Sequence, residues 1–433
     1  MTMTRRTMLA SSAGFLAFPL IARAQAPDVV ANIPVNYDEA KVGTYSLPKP
    51  LVSQDGSAIR TPAEWTARRR PELLHLFETQ QFGIAPPAPR LSVTEVEPAT
   101  PALGGKAMRR QVRIALSPDP TARPIDLVIY TPAGATRPVP ILLAINFTTN
   151  AAAVADPELK PGVVWNLEQH ARVPWAGKGI AFPKIDPVPM LDAGIGFAAF
   201  YYGDVEPDDP QGFAAGIRAR YMAPGQTQLR PDQWGTIGAW GWGISRAIDY
   251  LETDRRIDRK RIAIHGVSRL GKTVMWAGAH DTRVAATIAS CSGEGGAALS
   301  HRNYGETVAH LVAPSRYPYQ FAGNFAKMAG FPDTNPIDGN LLVALHAPKP
   351  LLLQTGTTDG WSDPKGEFLS AVDAGQVYRL LGRSDLGTTT WPGAGKSILH
   401  DLGYYMHEGG HGTIPSDWPV YLDFLKLHLK PEA

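Results

Sequence analysis

Two hydrophobic patterns alternate along the chain. Short apolar runs without polar alternation occur at residues 125–130, 139–145, 195–201, 261–265, 284–289 and 350–354. Such runs suit strands buried on both faces, as in a parallel sheet. Residues 111–116 alternate instead and read as an edge strand. Between the runs lie segments of helical period. Residues 236–251 set Ile237, Trp240, Ile244 and Ile248 on one stripe, residues 273–279 form a helical run, and 418–429 close the chain as an amphipathic helix. Strands alternating with helices predict an α/β class with a doubly wound, mostly parallel sheet sandwiched by helices.

The flanking segments read differently. In Thr61-Pro62-Ala63-Glu64, Thr61 can cap a helix, Pro62 suits its first position and Glu64 completes a capping box. That helix is expected to run through 68–79, with a break at Pro71, and to stop near Gly83. Residues 27–60 are Pro-rich and weakly patterned, an extended arm on the surface. The long segments 147–194 and 300–340 are expected as loops that shape a site. Neither an internal repeat nor a low-complexity linker divides the 433 residues, so one catalytic domain over 27–433 is expected despite the length.

Composition narrows the function classes. With 44% hydrophobic residues and 10 Trp the chain is too apolar and aromatic to be disordered. The single Cys cannot form an internal disulfide, and no Cys cluster offers a thiolate metal site. The net charge of +2 belongs to the N-terminus. Arg5, Arg6 and Arg23 lie in residues 1–26 with no acidic residue; removing these three from 42 basic residues leaves 39 against 40 acidic ones. A near-neutral remainder gives no reason to expect nucleic acid or an anionic membrane as partner.

Residues 1–26 read as a cleaved export signal. A basic start with Arg5-Arg6 precedes a mostly apolar stretch at 8–22, and Ala24-Gln25-Ala26 is an A-x-A cleavage signature. The stretch falls short of the roughly 20 residues that span a bilayer. Thr4-Arg5-Arg6-Thr7-Met8-Leu9 resembles a twin-arginine signal, which implies a periplasmic or secreted protein.

Chemistry concentrates where residues 261–265 lead into Gly266-Val267-Ser268-Arg269-Leu270-Gly271-Lys272. A serine between strand and helix, flanked by small residues, is the geometry of a nucleophile elbow. The helix N-terminus there would point free amides at a developing oxyanion. A structural turn or a Ser N-cap is the bland alternative. The usual G-x-S-x-G is altered: Leu270 takes the second glycine position and Gly271 follows one later.

This element resembles the signature of the glucuronoyl esterases, carbohydrate esterase family 15. Further segments are similar to bacterial members: Ser292-Gly293-Glu294-Gly295-Gly296, Arg302-Asn303-Tyr304-Gly305-Glu306-Thr307, Asp359-Gly360-Trp361-Ser362-Asp363-Pro364, and His407-Glu408-Gly409-Gly410-His411. The resemblance spans roughly residues 60–430 and implies the α/β-hydrolase fold, with Ser268 as nucleophile and His411 as base. His411 also lies in a Gly-rich loop before the final helix, where such hydrolases hold their base. His265, just before the turn, reads as a packed residue.

The acid has two candidate positions. Most family members carry a glutamate where this chain has Cys291, and a thiol cannot orient and charge-stabilise a histidine as a carboxylate does. Asp359 lies after 350–354, the usual acid position of the fold, and is favoured. Glu294 and Asp363 are the alternatives, although Asp363 before Pro364 also suits a helix cap. His407 to His411 matches H-E-x-x-H literally, but that zinc motif needs a helix. Two central glycines each weaken a helix by roughly 1 kcal/mol, so a loop without metal is expected.

Arg269 can offer its backbone N–H and guanidinium to the oxyanion, the role the resemblance implies. The resemblance likewise assigns Lys272, Glu306 and Trp361 to the hydroxyls of a glucuronate ring. Tyr201, Tyr202, Trp165 and Trp175, read as exposed, would line an extended cleft. The function implied is a monomeric serine esterase, without cofactor, that cleaves (4-O-methyl-)glucuronate esters joining xylan side chains to lignin alcohols. The rivals are an acetyl xylan esterase on the same fold and a carbohydrate-binding protein whose site has decayed.

Overall fold

Ile141, Leu143 and Ile145 face one side of their strand, Leu142 and Ala144 face the other, and all five are buried. A strand covered on both faces has no solvated side to carry polar residues, which is why its sequence shows no alternation. The structure, a computed structural model, describes residues 28–177, 182–330 and 335–431. The expected export signal at 1–26 lies outside the described residues.

Ten described strands form one sheet: β1 (Val93–Ala102), β2 (Ala107–Ile114), β3 (Ile125–Pro132), β4 (Val139–Asn146), β5 (Gly196–Tyr201), β6 (Ile257–Val267), β7 (Val284–Ser290), β8 (Leu351–Gly356), β9 (Ser397–Ile398) and β10 (Leu402–His407). Their order is β9-β10-β8-β7-β6-β4-β5-β3-β2-β1. From β10 to β5 neighbours run parallel, while β1, β2, β3 and β9 pair antiparallel. Helices α1 (Thr236–Leu251), α2 (Arg269–His280) and α3 (Pro364–Leu380) cover one face, and α4 (Asp417–Leu429) covers part of the other. This is an α/β-hydrolase sheet with its parallel centre between helical layers. Among the described residues no helix is long and apolar enough to cross a membrane.

Three expectations need correction. Residues 111–116 do not form an edge: β2 ends at Ile114 and pairs on both sides, and the edge on that side is β1. The helix that opens at the Thr61 capping box does not break at Pro71. It continues over residues 62–82 through two wide, π-type turns, Trp65–Arg69 and Glu78–Phe82. The first lets Arg70 N–H reach Trp65 O just before the proline, which has no N–H of its own to place. Finally, Tyr201 is buried, with its hydroxyl accepting from Trp165 N–H at 3.2 Å. The segments expected as loops also carry short elements, notably a hairpin of Val163–Asn166 with Ala171–Pro174.

Candidate active site

Parallel strands in this sheet end along one edge, and the loops that leave β6, β8 and β10 carry Ser268, Asp359 and His411. Ser268 is held at φ 60°, ψ −127°, a strained backbone for a residue with a side chain. Its N–H bonds Ser290 O at 2.8 Å, and its carbonyl accepts from Lys272 N–H at 3.0 Å to open α2. A Cβ on Gly266 would lie 2.3 Å from Leu270 O, and one on Gly271 would lie 2.7 Å from Ser290 O. These two close approaches explain the altered motif. The second small residue is required at 271, against the neighbouring strand, while Leu270 is buried in the core. Ser268 is half-buried, and its Oγ makes no hydrogen bond to a described residue.

His411 donates from Nδ1 to Asp359 Oδ2 at 2.7 Å, and Ser362 Oγ lies 3.2 Å from the same nitrogen. Asp359 is buried while the His411 side chain is 38% exposed, so a fixed carboxylate orients an accessible ring. The loops are tied together, Thr358 N–H bonding Gly409 O at 2.8 Å. Nδ1 is thereby committed to the acid, which leaves Nε2 to handle a proton.

Cys291 faces the same histidine. One ligand-capable atom each from Cys291, Asp359 and His411 all lie within 4.8 Å of one another. The thiol is buried, accepts Gly412 N–H at 3.3 Å, and has its pKa pushed well up by burial and then by the Asp359 charge. It is therefore a neutral neighbour. Glu294 is buried elsewhere, accepting from Ser300 Oγ at 2.6 Å, and burial holds its carboxyl well above the usual range. Asp363 caps α3 by accepting from Gly366 N–H at 3.0 Å and pairs with Arg302 Nε at 2.8 Å. Neither Glu294 nor Asp363 bonds His411.

The H-E-x-x-H match is a strand end and a loop. His407 closes β10, with Nδ1 3.0 Å from Asp417 Oδ2 and Nε2 2.9 Å from Gly410 O. Both ring nitrogens thus meet acceptors. Burial pulls its pKa down, but the hydrogen bonds to Asp417 and Gly410, with the Asp417 and Asp359 charges, together raise it. A ring engaged on both sides offers no lone pair to zinc. His265 is the packed residue expected, its pKa pulled down to about 3 by burial.

Arg269 pairs with the buried Asp208, whose other oxygen accepts from Tyr319 Oη at 3.0 Å and Gln320 Nε2 at 2.6 Å. The guanidinium lies 5.0 Å from the Tyr317 ring centroid and 6.0 Å from that of Phe147. Sequence reasoning missed Asp208 and Ser362. Asp208 is 61 residues from its partner, so spacing along the chain carries no signal of the pair.

Lys272 is buried, yet its ammonium has no hydrogen bond or ion pair with a described residue. Burial lowers its pKa, and the Glu306 charge opposes that. Glu306 accepts from Arg316 Nη2 at 3.1 Å, and its N–H bonds Trp361 O at 2.8 Å. The half-exposed Trp361 meets the His310 ring edge-on at 5.3 Å and Arg316 at 5.5 Å. Glu306 thus links the three residues, its charge acting on the Lys272 ammonium and its N–H held by the Trp361 carbonyl.

Known proteins share this arrangement of strands and loops. Carbohydrate esterase MZ0003, from an unknown prokaryotic organism, is 40% identical over 416 residues, covering 93% of this chain and 94% of that protein. A solved glucuronoyl esterase from Solibacter usitatus superposes with a TM-score of 0.84 at 38% identity, covering 90% of this chain and all of that one. The chain belongs to carbohydrate esterase family 15, the glucuronoyl esterases. A family model described as fungal glucuronyl esterase matches residues 228–382 of this family 15 esterase, from before α1 to the end of α3. The 4-O-methyl-glucuronoyl methylesterase of Schizophyllum commune is 26% identical over 385 residues, 84% of this chain and 80% of that protein.

Proposed function

We propose that this esterase hydrolyses esters of 4-O-methyl-glucuronic acid through Ser268, His411 and Asp359. The observation that carries the reading is the 2.7 Å contact between His411 Nδ1 and Asp359, on the same sheet edge as the strained Ser268 turn. His411 Nε2 takes the proton of Ser268 Oγ as that oxygen bonds the uronoyl carbonyl carbon. The carbonyl oxygen becomes an oxyanion, met by the Arg269 side of the helix start. The imidazolium returns its proton to the alcohol oxygen as the ester bond breaks. Water then repeats the sequence on the acyl-enzyme and releases glucuronate, regenerating Ser268. Every step uses a side chain of this chain or water.

Lys272, Glu306 and Trp361 bind the glucuronate ring, the ammonium and carboxylate taking its hydroxyls and the indole its apolar face. The basic and apolar leader at 1–26 supports export, by the twin-arginine route, to the periplasm or the medium.

The decisive experiment compares benzyl glucuronate ester with acetylated xylan. Preferential release of benzyl alcohol is expected, and faster acetate release sinks the substrate assignment. An organofluorophosphonate is expected to label Ser268, and failure to label favours a decayed site that only binds carbohydrate.

A further inference from the structure

The N-terminal arm touches both loops that carry Glu306 and Trp361. Within the short hairpin of Val29–Val30 with Ile33–Pro34, Ile33 O accepts from Nε2 of His310, the residue that meets Trp361 edge-on. Asn36 donates from Nδ2 to Asn303 O at 2.6 Å and accepts the N–H of Gly305, beside Glu306, at 2.8 Å. Tyr37 packs its ring edge-on to Tyr304 at 6.1 Å. The same ring lies against Gly360, where an added Cβ would sit 3.4 Å from Tyr37 Cδ1. Glu39 pairs with Arg302 and, at 2.9 Å, with Lys365 Nζ; Arg302 in turn holds Asp363. Burial first, offset by Lys365 and Arg302, leaves the Glu39 carboxyl below its usual range, so the clamp is charged at neutral pH.

Each contact lands on 302–310, which carries Glu306, or on 359–365, which carries Asp359 and Trp361. Those two loops meet backbone to backbone: a Cβ on Gly305 would lie 2.4 Å from Gly360 O. Without the arm, the two loops would keep the bond from Glu306 N–H to Trp361 O, the Arg302–Asp363 pair and the Arg316 and His310 contacts with Trp361, and would lose their common backing. We infer that Tyr37, with Asn36 and Glu39, is a positioning element for substrate recognition that sets the distance between Glu306 and Trp361. This rests on the assignment of Lys272, Glu306 and Trp361 to the glucuronate ring. The Tyr37 hydroxyl is buried with no hydrogen-bond partner among the described residues, so the ring contact and not the hydroxyl is the working part.

The test is kinetic, on the full chain, with benzyl glucuronate ester and p-nitrophenyl acetate. Tyr37→Ala is expected to raise KM for the glucuronate ester about tenfold while kcat changes by less than about threefold. The preference for that ester, as a ratio of kcat/KM values, should fall by about the same factor. Tyr37→Phe should restore both. Glu39→Ala, at an exposed position that leaves folding intact, should move KM the same way by about threefold. A wild-type enzyme without preference for the glucuronate ester overturns the sugar-pocket reading itself. A wild-type preference that Tyr37→Ala and Glu39→Ala both leave intact, or a loss equal on both esters, overturns the role of the arm alone.

Discussion

His411 Nδ1 and Asp359 Oδ2 lie 2.7 Å apart, while the buried Cys291, just after β7, faces the same ring. The carboxylate that faces the histidine therefore comes from the loop after β8 rather than from the end of β7. An amide at 359 can present its NH2 to Nδ1 and select the wrong tautomer. Asp359→Asn should lower kcat by about a thousandfold or more with an unchanged circular dichroism spectrum. Cys291→Ala should stay within about threefold of wild type, since a neutral thiol contributes no charge to the imidazolium. The reverse pattern in steady-state kinetics would move the acid role away from Asp359.

Because Cys291 and Asp359 converge on one ring, the acid should be transferable. A glutamate at 291 extends two bonds beyond the thiol position, toward a histidine nitrogen now within 4.8 Å of both residues. Cys291→Glu in the Asp359→Asn background should recover at least about tenfold in kcat over Asp359→Asn alone, within the span a missing acid opens. No recovery, with the double variant folded, would mean that the Cys291 backbone, held at φ 45°, aims a longer side chain elsewhere.

Central strands were legible because burial on both faces leaves an unbroken apolar run, as at β4 and β5, and α1 because its stripe has helical period. The edge strand β1 was not. It carries Pro98 and Pro101 and exposes Glu95, which is what an edge tolerates and a loop resembles. β10 was also missed, as Gly403 interrupts a short run. In the site, Ser268, Asp359 and His411 were legible through their loops after strands. Asp208, Ser362 and the arm were not, because their significance lies in partners distant in sequence.

Asp208 makes Arg269 a fixed cation rather than a mobile one. Burial acts to lower the guanidinium pKa, and Asp208 more than restores it, so charge and position are set together. Arg269→Ala should reduce kcat by about a hundredfold, the usual loss for one oxyanion donor. Asp208→Asn should cost about tenfold in kcat with KM little changed, since it leaves the guanidinium present but unaimed. Arg269→Lys should fail to rescue, because an ammonium cannot reproduce the planar pairing. Full activity of Asp208→Asn would show that the aromatic contacts alone hold Arg269.

Glu367 gives stability a pH dependence of definite sign. Its carboxyl is fully buried, accepts Gly293 N–H at 2.5 Å and Ser292 Oγ at 3.1 Å, and leaves Oε2 without a partner among the described residues. Burial pushes its pKa from 4.5 up to about 8, against the lowering effect of those two donors. The folded protein thus keeps a proton that the unfolded chain releases above pH 4.5. A state that binds protons more tightly is favoured by acid, so the contribution is complete below the unfolded value and is lost as pH rises through 4.5 to 8. The loss amounts to roughly 3–5 kcal/mol across that window. Glu367→Gln keeps the acceptor for Gly293 and cannot ionise. Urea unfolding of this variant relative to wild type should therefore show a stability difference that moves in favour of glutamine between pH 5 and pH 8. A difference that stays constant over that range would mean Glu367 is ionised in the folded protein, with Lys272 as the compensating charge.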